Sequence, residues 1–427
     1  MSSGPSCAND SVERKMRSRL WLLLGLLVAG TTLLYVVRIL GPWEDYVDVE
    51  HGSLKARLGD LYSPWFGSRE LLLNGRNPYG PQVTREIQMK FYGRVIEQSY
   101  SPPGGTIDEQ RFAYPVYAAF LLAPAVRLQF EQVQRWAPAV LGSLSAASVL
   151  LWLAVLRWRL STLDALVLIL FVLNSPQIVQ GLRLRQLGLV VGFIIALAVW
   201  CVARNHLWIA GVLLALSTIK PQMVVLLLVW FAIWSLGDWR ARWRLPTGFF
   251  GSLVILVVAG EIVLPGWLGY FFNGLQAYWR YGPTKSLLRL ILGGPLAQVF
   301  SGLLACAFVV LAWRKRTFSA DSKEFAGTLA GSFLVETIAL PLLSPFNQVL
   351  LLLPVILILR DWKSIPRFLH LGFIFCFSWP WAVSLMLLLF PVNTRSTSVL
   401  PLLPSTFVAF VPLLLSPLMA ADWRATR

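Results

Sequence analysis

The 427-residue sequence predicts an all-α, polytopic membrane protein with about twelve transmembrane helices. Three observations lead there. Apolar runs near the length of a membrane crossing recur from Leu20 to the C-terminus. Only 14% of the residues are charged, while 56% are hydrophobic; a soluble domain holds about 25% and about 45–50%. Arg and Lys gather in the connectors between the runs. A helix needs about 20 apolar residues to cross the hydrocarbon core, and the runs are continuous rather than alternating, which argues against transmembrane strands. Nineteen Trp residues suit anchoring at the two interfaces.

The spans, in order, are 20–40, 137–156, 161–179, 187–203, 207–219, 222–236, 247–265, 288–312, 325–343, 346–360, 368–390 and 399–420. The first follows Arg14, Lys15, Arg17 and Arg19, and its length points to a retained anchor rather than a cleaved signal. Basic connectors carry Arg157 and Arg159, Arg204, then Arg240, Arg242 and Arg244. Further on come Arg314, Lys315 and Arg316, then Arg360, Lys363 and Arg367, then Arg424 and Arg427. Twelve crossings put all of these, with both termini, on the cytoplasmic side. Segment 113–128 is apolar but short and contains Pro115 and Pro124. If it crossed, the basic connectors would split between the two faces, so it reads as a re-entrant or interfacial segment at the outer face. The chain is then one integral membrane domain, 1–427, whose first outer loop is 41–136.

That topology leaves 41–136, 180–186, 220–221, 266–287, 344–345 and 391–398 on the outer side. Asp60, Gln186, Lys220, Asn347 and Gln348 fall in or beside these segments. Polar residues converging at one depth predict a site at the outer membrane boundary. Within the first loop, Ser63–Asn74 reads as a short helix with Pro64 near its start and Gly75 past its end. Its Trp65, Phe66, Leu71, Leu72 and Leu73 are expected to lie on the bilayer surface. Arg85–Gln98 reads as a second amphipathic helix, and 101–105 as a loop.

Several function classes drop out. The net charge of +16 is spread through the connectors, so nucleic acid is not the expected partner. Cys7, Cys201, Cys306 and Cys376 stand far apart, which argues against a metal site or a disulfide framework. His51, His206 and His370 are isolated, and no Walker, zinc-helix or dinucleotide motif is present. No cofactor and no metal are expected.

The string GDLYSPWFGSRELLLNGRNPYG at 59–80, followed by RFAYPVYAAFLLAP at 111–124, resembles glycosyltransferase family 87. The family pattern is an outer-loop Asp, an amphipathic helix and Gly-x-Asn/Asp-Pro-Tyr; here these are Asp60 and then Gly75, Asn77, Pro78 and Tyr79. Tyr114-Pro115-Val116 stands for a Tyr-Pro-Pro element, Gln186 for part of a Gly-Gln-x-Asn element, and Lys220-Pro221 and Ser344-Pro345 match later ones. The resemblance runs from about residue 55 to 360. It implies the GT-C membrane fold, with an outer-loop carboxylate over a membrane cavity. It also implies a polyprenyl-phosphate sugar donor, commonly of mannose, and inversion at the anomeric carbon. A lipid or glycan hydroxyl would be the acceptor, and the enzyme would serve the cell envelope from a bacterial plasma membrane.

The chemistry points to particular residues. Glycosyl transfer to a hydroxyl needs a base, and a carboxylate at the membrane boundary gains basicity from partial desolvation. Asp60, just before the loop helix, is the candidate. Asp45, Asp48, Glu50, Asp108 and Glu109 are alternatives, whereas Glu70 is expected to pair with an Arg of its own helix. A phosphate leaving group needs a cation: Lys220, Arg183 or Arg185, with Arg280 and Lys285 further possibilities. Asn77, Tyr79, Tyr114, Gln186, Asn347 and Gln348 are candidates for lining the sugar or acceptor cavity. Tyr79, Tyr114, Trp279 and Tyr281 offer rings to sugar faces, although lipid anchoring is the commoner role of such rings. Two other classes compete. A transporter or flippase for a lipid-linked glycan would show internal repeats and helices broken near the midplane; no repeat is evident, and the polar residues gather at one end. A non-catalytic assembly protein would have no use for the one-sided polar set.

Overall fold

A computed structural model describes residues 6–50, 58–96, 109–281, 286–364, 367–390, 393–395 and 411. Every regular element among them is helical. The first apolar run forms α1 (Ser6–Tyr35), which passes through a π-helical turn at Val36–Leu40 into α2 (Gly41–Glu50). The helix thus outlasts the predicted span of 20–40 by ten residues, since neither Gly41 nor Pro42 stops it: the π-helical turn just before Pro42 lets the chain continue past the residue that lacks an N–H.

The loop helices follow as α3 (Tyr62–Asn74), α4 (Pro81–Tyr92) and α5 (Ala118–Leu122), the last continued by a 3-10 turn at Ala123–Ala125. Gly75 at φ 64° ends α3 and lets its own N–H and that of Arg76 return to the Leu71 and Glu70 carbonyls. Helix α4 begins four residues before the predicted Arg85, because Pro81 sits in its first turn. It ends at Gly93, φ 66°, well short of Gln98. Nor does α3 lie on the bilayer. Trp65 and Leu71 are buried in protein, with the Trp65 indole N–H donated to the Ala125 carbonyl at 3.0 Å. Leu73 is the exposed member of that set.

The remaining elements are α6 (Phe130–Val155), α7 (Thr162–Leu173), α8 (Pro176–Leu184), α9 (Leu187–Ala203), α10 (Leu207–Ser217), α11 (Val225–Gly237), α12 (Trp239–Arg242), α13 (Arg244–Val263) and α14 (Trp267–Tyr281). After them come α15 (Leu287–Leu292), α16 (Gly294–Lys315), α17 (Lys323–Ala339), α18 (Leu352–Arg360) and α19 (Arg367–Leu389). Among the described residues, five helices are long and apolar enough to cross a membrane: Ser18–Tyr46, Phe130–Val155, Arg244–Val263, Gly294–Lys315 and His370–Leu389. A sixth candidate, α7 with α8, is bent by 62°. The predicted span 161–179 is therefore broken: Pro176 cannot donate to the Val172 carbonyl, which accepts from the Ser175 hydroxyl at 2.7 Å instead. Helices α9, α10, α11 and Pro345–Arg360 are apolar but shorter. Predicted span 399–420, apart from residue 411, lies outside the described residues, as does the loop at 101–105.

The core forms around α9, which packs against α6 and α10 and is buried along nearly its whole length. Helices α10 and α13 cross closely through two glycines. A Cβ on Gly211 would stand 2.5 Å from the Leu245 carbonyl oxygen, and one on Gly248 would stand 2.7 Å from that of Trp208. Small residues at a crossing let helix backbones meet where lipid offers no hydrophobic drive. The outer faces of α1, α13, α16 and α19 expose rows of Leu, Ile, Val and Phe, as a bilayer-facing surface requires. The site described next forms where the short central helices break.

Candidate functional site

Asp60 sits on a turn that only glycine permits. Gly59 has φ 68°, and a Cβ there would lie 2.8 Å from the Leu184 carbonyl oxygen. That close approach lets the Asp60 N–H donate to the same carbonyl at 2.7 Å, tying the start of α3 to the end of α8. Helix α8 ends at Arg185, which is left-handed with φ 54°, and the chain turns into α9 at Gln186. The Gln186 amide nitrogen then donates to the Asp60 carboxylate.

The other side of the Gln186 amide faces Lys220. Pro221 breaks the chain between α10 and α11, and Lys220 stands at that break with only 7% of its surface exposed. Its ammonium donates to Gln186 Oε1 at 3.0 Å, lies 3.4 Å from Asn347 Oδ1 and sits 5.0 Å from the centre of the Phe346 ring. Burial pushes this lysine down to about 8, and the nearby Asp60 carboxylate opposes that shift. Asp60, Gln186, Lys220 and Asn347 thus form one continuous polar chain, drawn from four separate segments. A Cβ at Gly188 would meet the Lys220 ammonium at 3.2 Å, so glycine at the start of α9 leaves room for the cation. Gly188 and Phe346 were not read from the sequence as site residues. The Gly after Arg-Gln-Leu and the aromatic before Asn347 were the available signals.

The remaining candidates divide by location. Asn77 makes an Asx turn, its Oδ1 accepting from the Tyr79 N–H at 2.9 Å. The Tyr79 hydroxyl donates to the Tyr114 carbonyl at 2.6 Å, and burial raises this phenol so that it stays protonated. These three residues brace one another. Tyr114 also packs on the apolar cluster containing Leu61, Tyr62 and Leu187, the chain neighbours of Asp60 and Gln186. Arg185 lies beside the Gly59 turn and donates to the Gln134 and Arg183 carbonyls; desolvation lowers its pKa. Arg183 points away from Asp60 and pairs with Glu44. Gln348 also faces elsewhere, into a small cavity with Gln177 and Ser175, where its Oε1 has no hydrogen-bond partner among the described residues.

Of the alternative acids, Glu70 pairs with Arg76 and, through it, with Glu86. Its partner is not on its own helix as expected, because Arg69 is drawn to the Val126 carbonyl. Glu109 pairs with Arg111. The side chains of Asp48, Glu50, Asp108, Trp279, Arg280, Tyr281 and Lys285 lie outside the described residues. Glu336 on α17 escaped the sequence reading. It is fully buried, its Oε1 accepts the Leu226 N–H at 3.1 Å, and its Oε2 has no hydrogen-bond partner among the described residues.

The family model described as "Glycosyltransferase family 87" matches residues 112–345. The match takes in Tyr114, Arg183, Arg185, Gln186 and Lys220; it begins after Asp60 and stops just before Asn347. Comparison with curated proteins and with solved structures returns no match.

Proposed function

This chain belongs to glycosyltransferase family 87, whose model covers more than half of it, and from that membership we propose the reaction in detail. A hexose, mannose first among the candidates, passes from a polyprenyl-phosphate donor to a hydroxyl of a lipid or glycan acceptor at the outer membrane face. The acceptor oxygen bonds to the anomeric carbon as the bond to the lipid phosphate breaks, with inversion. The acceptor proton goes to the Asp60 carboxylate, and the released phosphate keeps the electron pair. A positioned base of this kind contributes on the order of 10²–10⁴-fold.

The polar chain through Gln186 carries this reading. Its amide holds the Asp60 carboxylate through N–H and the Lys220 ammonium through its oxygen, so base and cation are oriented by one planar group. A buried ammonium is worth more to a departing phosphate than a solvated one. Arg185, beside the same turn, is a second phosphate ligand in this proposal, with Asn77, Tyr79, Tyr114 and Asn347 shaping the cavity.

The wider proposal is a GT-C fold of twelve spans forming one domain, 1–427, with both termini in the cytoplasm of a bacterial cell. The eight helical residues of 118–125 support the re-entrant reading of 113–128, since they reach about 12 Å against a core of about 30 Å. The broken helices suit a flippase too, but family membership favours transfer.

Purified protein offered a panel of radiolabelled polyprenyl-phosphate sugars is expected to transfer one of them, and Asp60→Asn to slow that transfer by 10²–10⁴-fold. Asp45→Asn and Asp48→Asn serve as controls with mild effects. A monodisperse Asp60→Asn protein working at the wild-type rate would remove the base; no transfer from any donor in the panel would remove the donor class.

A further inference from the structure

Two connectors mix tryptophan with basic residues. The first, 237–247, holds Trp239, Arg240, Arg242, Trp243 and Arg244; the second, 313–318, holds Trp313, Arg314, Lys315 and Arg316. Although 74 residues separate Arg242 from Arg316, the two connectors meet. Arg242 is 8% exposed, and its guanidinium donates to the Trp234 and Arg316 carbonyls, each at 2.7 Å, and to the Phe318 carbonyl at 3.1 Å. It lies 3.9 Å from the centre of the Trp234 ring, whose indole N–H joins the same Phe318 carbonyl at 2.9 Å. Gly237 completes the joint, since a Cβ there would run into the Arg316 carbonyl. One buried cation thus ties the end of α11 to the end of α16.

That joint brings five further cations to one corner: Arg240, Arg244, Arg314, Lys315 and Arg316. The first three are exposed. Asp238 is the one acid in the two connectors, and it caps α12 by accepting the Ala241 N–H at 3.3 Å. Asp321, the next acid after the second connector, pairs with Arg157. Among the described residues Arg240, Arg244, Arg314 and Arg316 form no ion pair. Topology alone does not ask for this arrangement. The bias that orients a membrane protein counts charges along each connector and needs none of them to meet. Cations held together against their mutual repulsion attract an anion.

The surroundings say which anion. Trp208, Trp239, Trp243 and Trp313 are exposed at the corner, the first two connected to it through chain and ring contact with Trp243. The Arg316 and Arg244 guanidinium groups lie over Trp313 and Trp243, at 4.1 and 6.0 Å. Exposed indoles among guanidinium groups mark the headgroup level of a bilayer. Helices α13 and α16 lead away from the corner and are of crossing length. Helix α11 packs against both, and its exposed residues Val225, Ala232 and Leu236 follow one face and end beside the corner. An anion arriving from water would leave that row and the indoles uncovered. A lipid covers them with its own chains while its phosphate reaches the cations.

We propose that this corner binds an anionic diacyl phospholipid of the surrounding leaflet. Arg240, Arg244 and Arg314 hold its phosphate, whose oxygens match the guanidinium fork, and its acyl chains lie along α11. A zwitterionic lipid binds less well, because its choline would add one more cation to the corner. The inference rests neither on the transferase reading nor on which side of the membrane the corner faces.

Photolabelling in vesicles tests it and needs no turnover. The purified full-length protein is reconstituted into phosphatidylcholine vesicles with a trace of diazirine-bearing phosphatidylglycerol in one arm and of diazirine-bearing phosphatidylcholine in the other, the diazirine at the same acyl position. The ratio of the two labels is read on the peptide containing Leu236 and, for reference, on the α1 peptide containing Leu23 and Leu27, which are exposed. Phosphatidylglycerol is expected to exceed phosphatidylcholine several-fold at Leu236 and to match it on α1. Salt at 1 M, where the screening length is about 3 Å, should shrink the excess. The double change Arg240→Gln with Arg244→Gln is expected to bring the Leu236 ratio down to that of α1. Arg127→Gln with Arg135→Gln, an equal loss of charge elsewhere, should leave it unchanged. A wild-type ratio at Leu236 no higher than on α1 overturns the proposal. So does an excess that survives 1 M salt and the loss of Arg240 and Arg244 in a monodisperse protein, or one that falls equally when Arg127 and Arg135 are changed.

Discussion

Lys220 is the residue whose state decides whether the polar chain from Asp60 to Asn347 carries a positive charge. Burial lowers it to about 8 from an ordinary value of 10.5, so the ammonium is charged at neutral pH and loses its proton as pH rises through 8. If it balances the departing phosphate, kcat/KM should fall on that alkaline limb. Lys220→Arg should keep part of the activity and carry the limb beyond reach, since a guanidinium does not deprotonate in proteins. Lys220→Ala should lose the donor while remaining folded. A pH–rate profile of Lys220→Arg with the wild-type limb unmoved would assign the limb to another group. At this scale the sequence was informative where polar residues are scarce. Gln186, Lys220 and Asn347 each interrupt or border an apolar run, Asp60 stands just before the loop helix, and the structure brings all four together. It was uninformative about direction. Arg183 and Gln348 border the same runs, yet a turn of helix aims each at a different cavity.

At the level of elements, the break between α10 and α11 needs an external support. A helix start leaves N–H groups without partners, and at α11 a carboxyl oxygen from another helix supplies one: Glu336 of α17 accepts the Leu226 N–H at 3.1 Å. Glu336→Gln keeps an acceptor oxygen in place and should preserve both stability and the Lys220 turn. Glu336→Leu leaves a buried N–H unsatisfied, at a cost of about 1–3 kcal/mol. It should lower the thermal midpoint in detergent and raise KM for the donor. A Leu variant as stable as wild type would show that α11 needs no such cap. An acidic residue inside an apolar run is itself a legible signal, and Glu336 stands in the middle of such a run, whereas the other polar candidates stand at run ends. The break at Pro176 was passed over for a related reason: hydropathy averaged across Asn174-Ser175-Pro176 stays high although the backbone cannot continue.

For the whole molecule, helical character and membrane-spanning length were plain from composition, while the number of crossings was not. Helices α9, α10 and α11 have 17, 11 and 13 residues, and apolarity alone does not separate a short buried helix from a crossing one. Topology reporters can decide it. Fusions at Arg242, Arg316 and Lys363 are expected to report the cytoplasm, and fusions within 80–105 the opposite side. Cysteines placed at Arg127 and Arg135 should react from outside. An outside signal at Arg242, or labelling of Arg127 only from within, would undo the arrangement that places Asp60 and Lys220 at the outer boundary.

The shortness of α10 and α11 has a consequence for what can be glycosylated. At 1.5 Å per residue they rise only about 17 and 20 Å, whereas neighbouring α13 and α16, with 20 and 22 residues, rise about 30 and 33 Å. On the topology proposed above, Lys220, where the short pair meets, would lie below the ends of those longer neighbours. An acceptor would then have to reach down past them to receive the sugar. A slender glycan terminus or a lipid headgroup would manage that reach, and a hydroxyl on the surface of a folded protein would not.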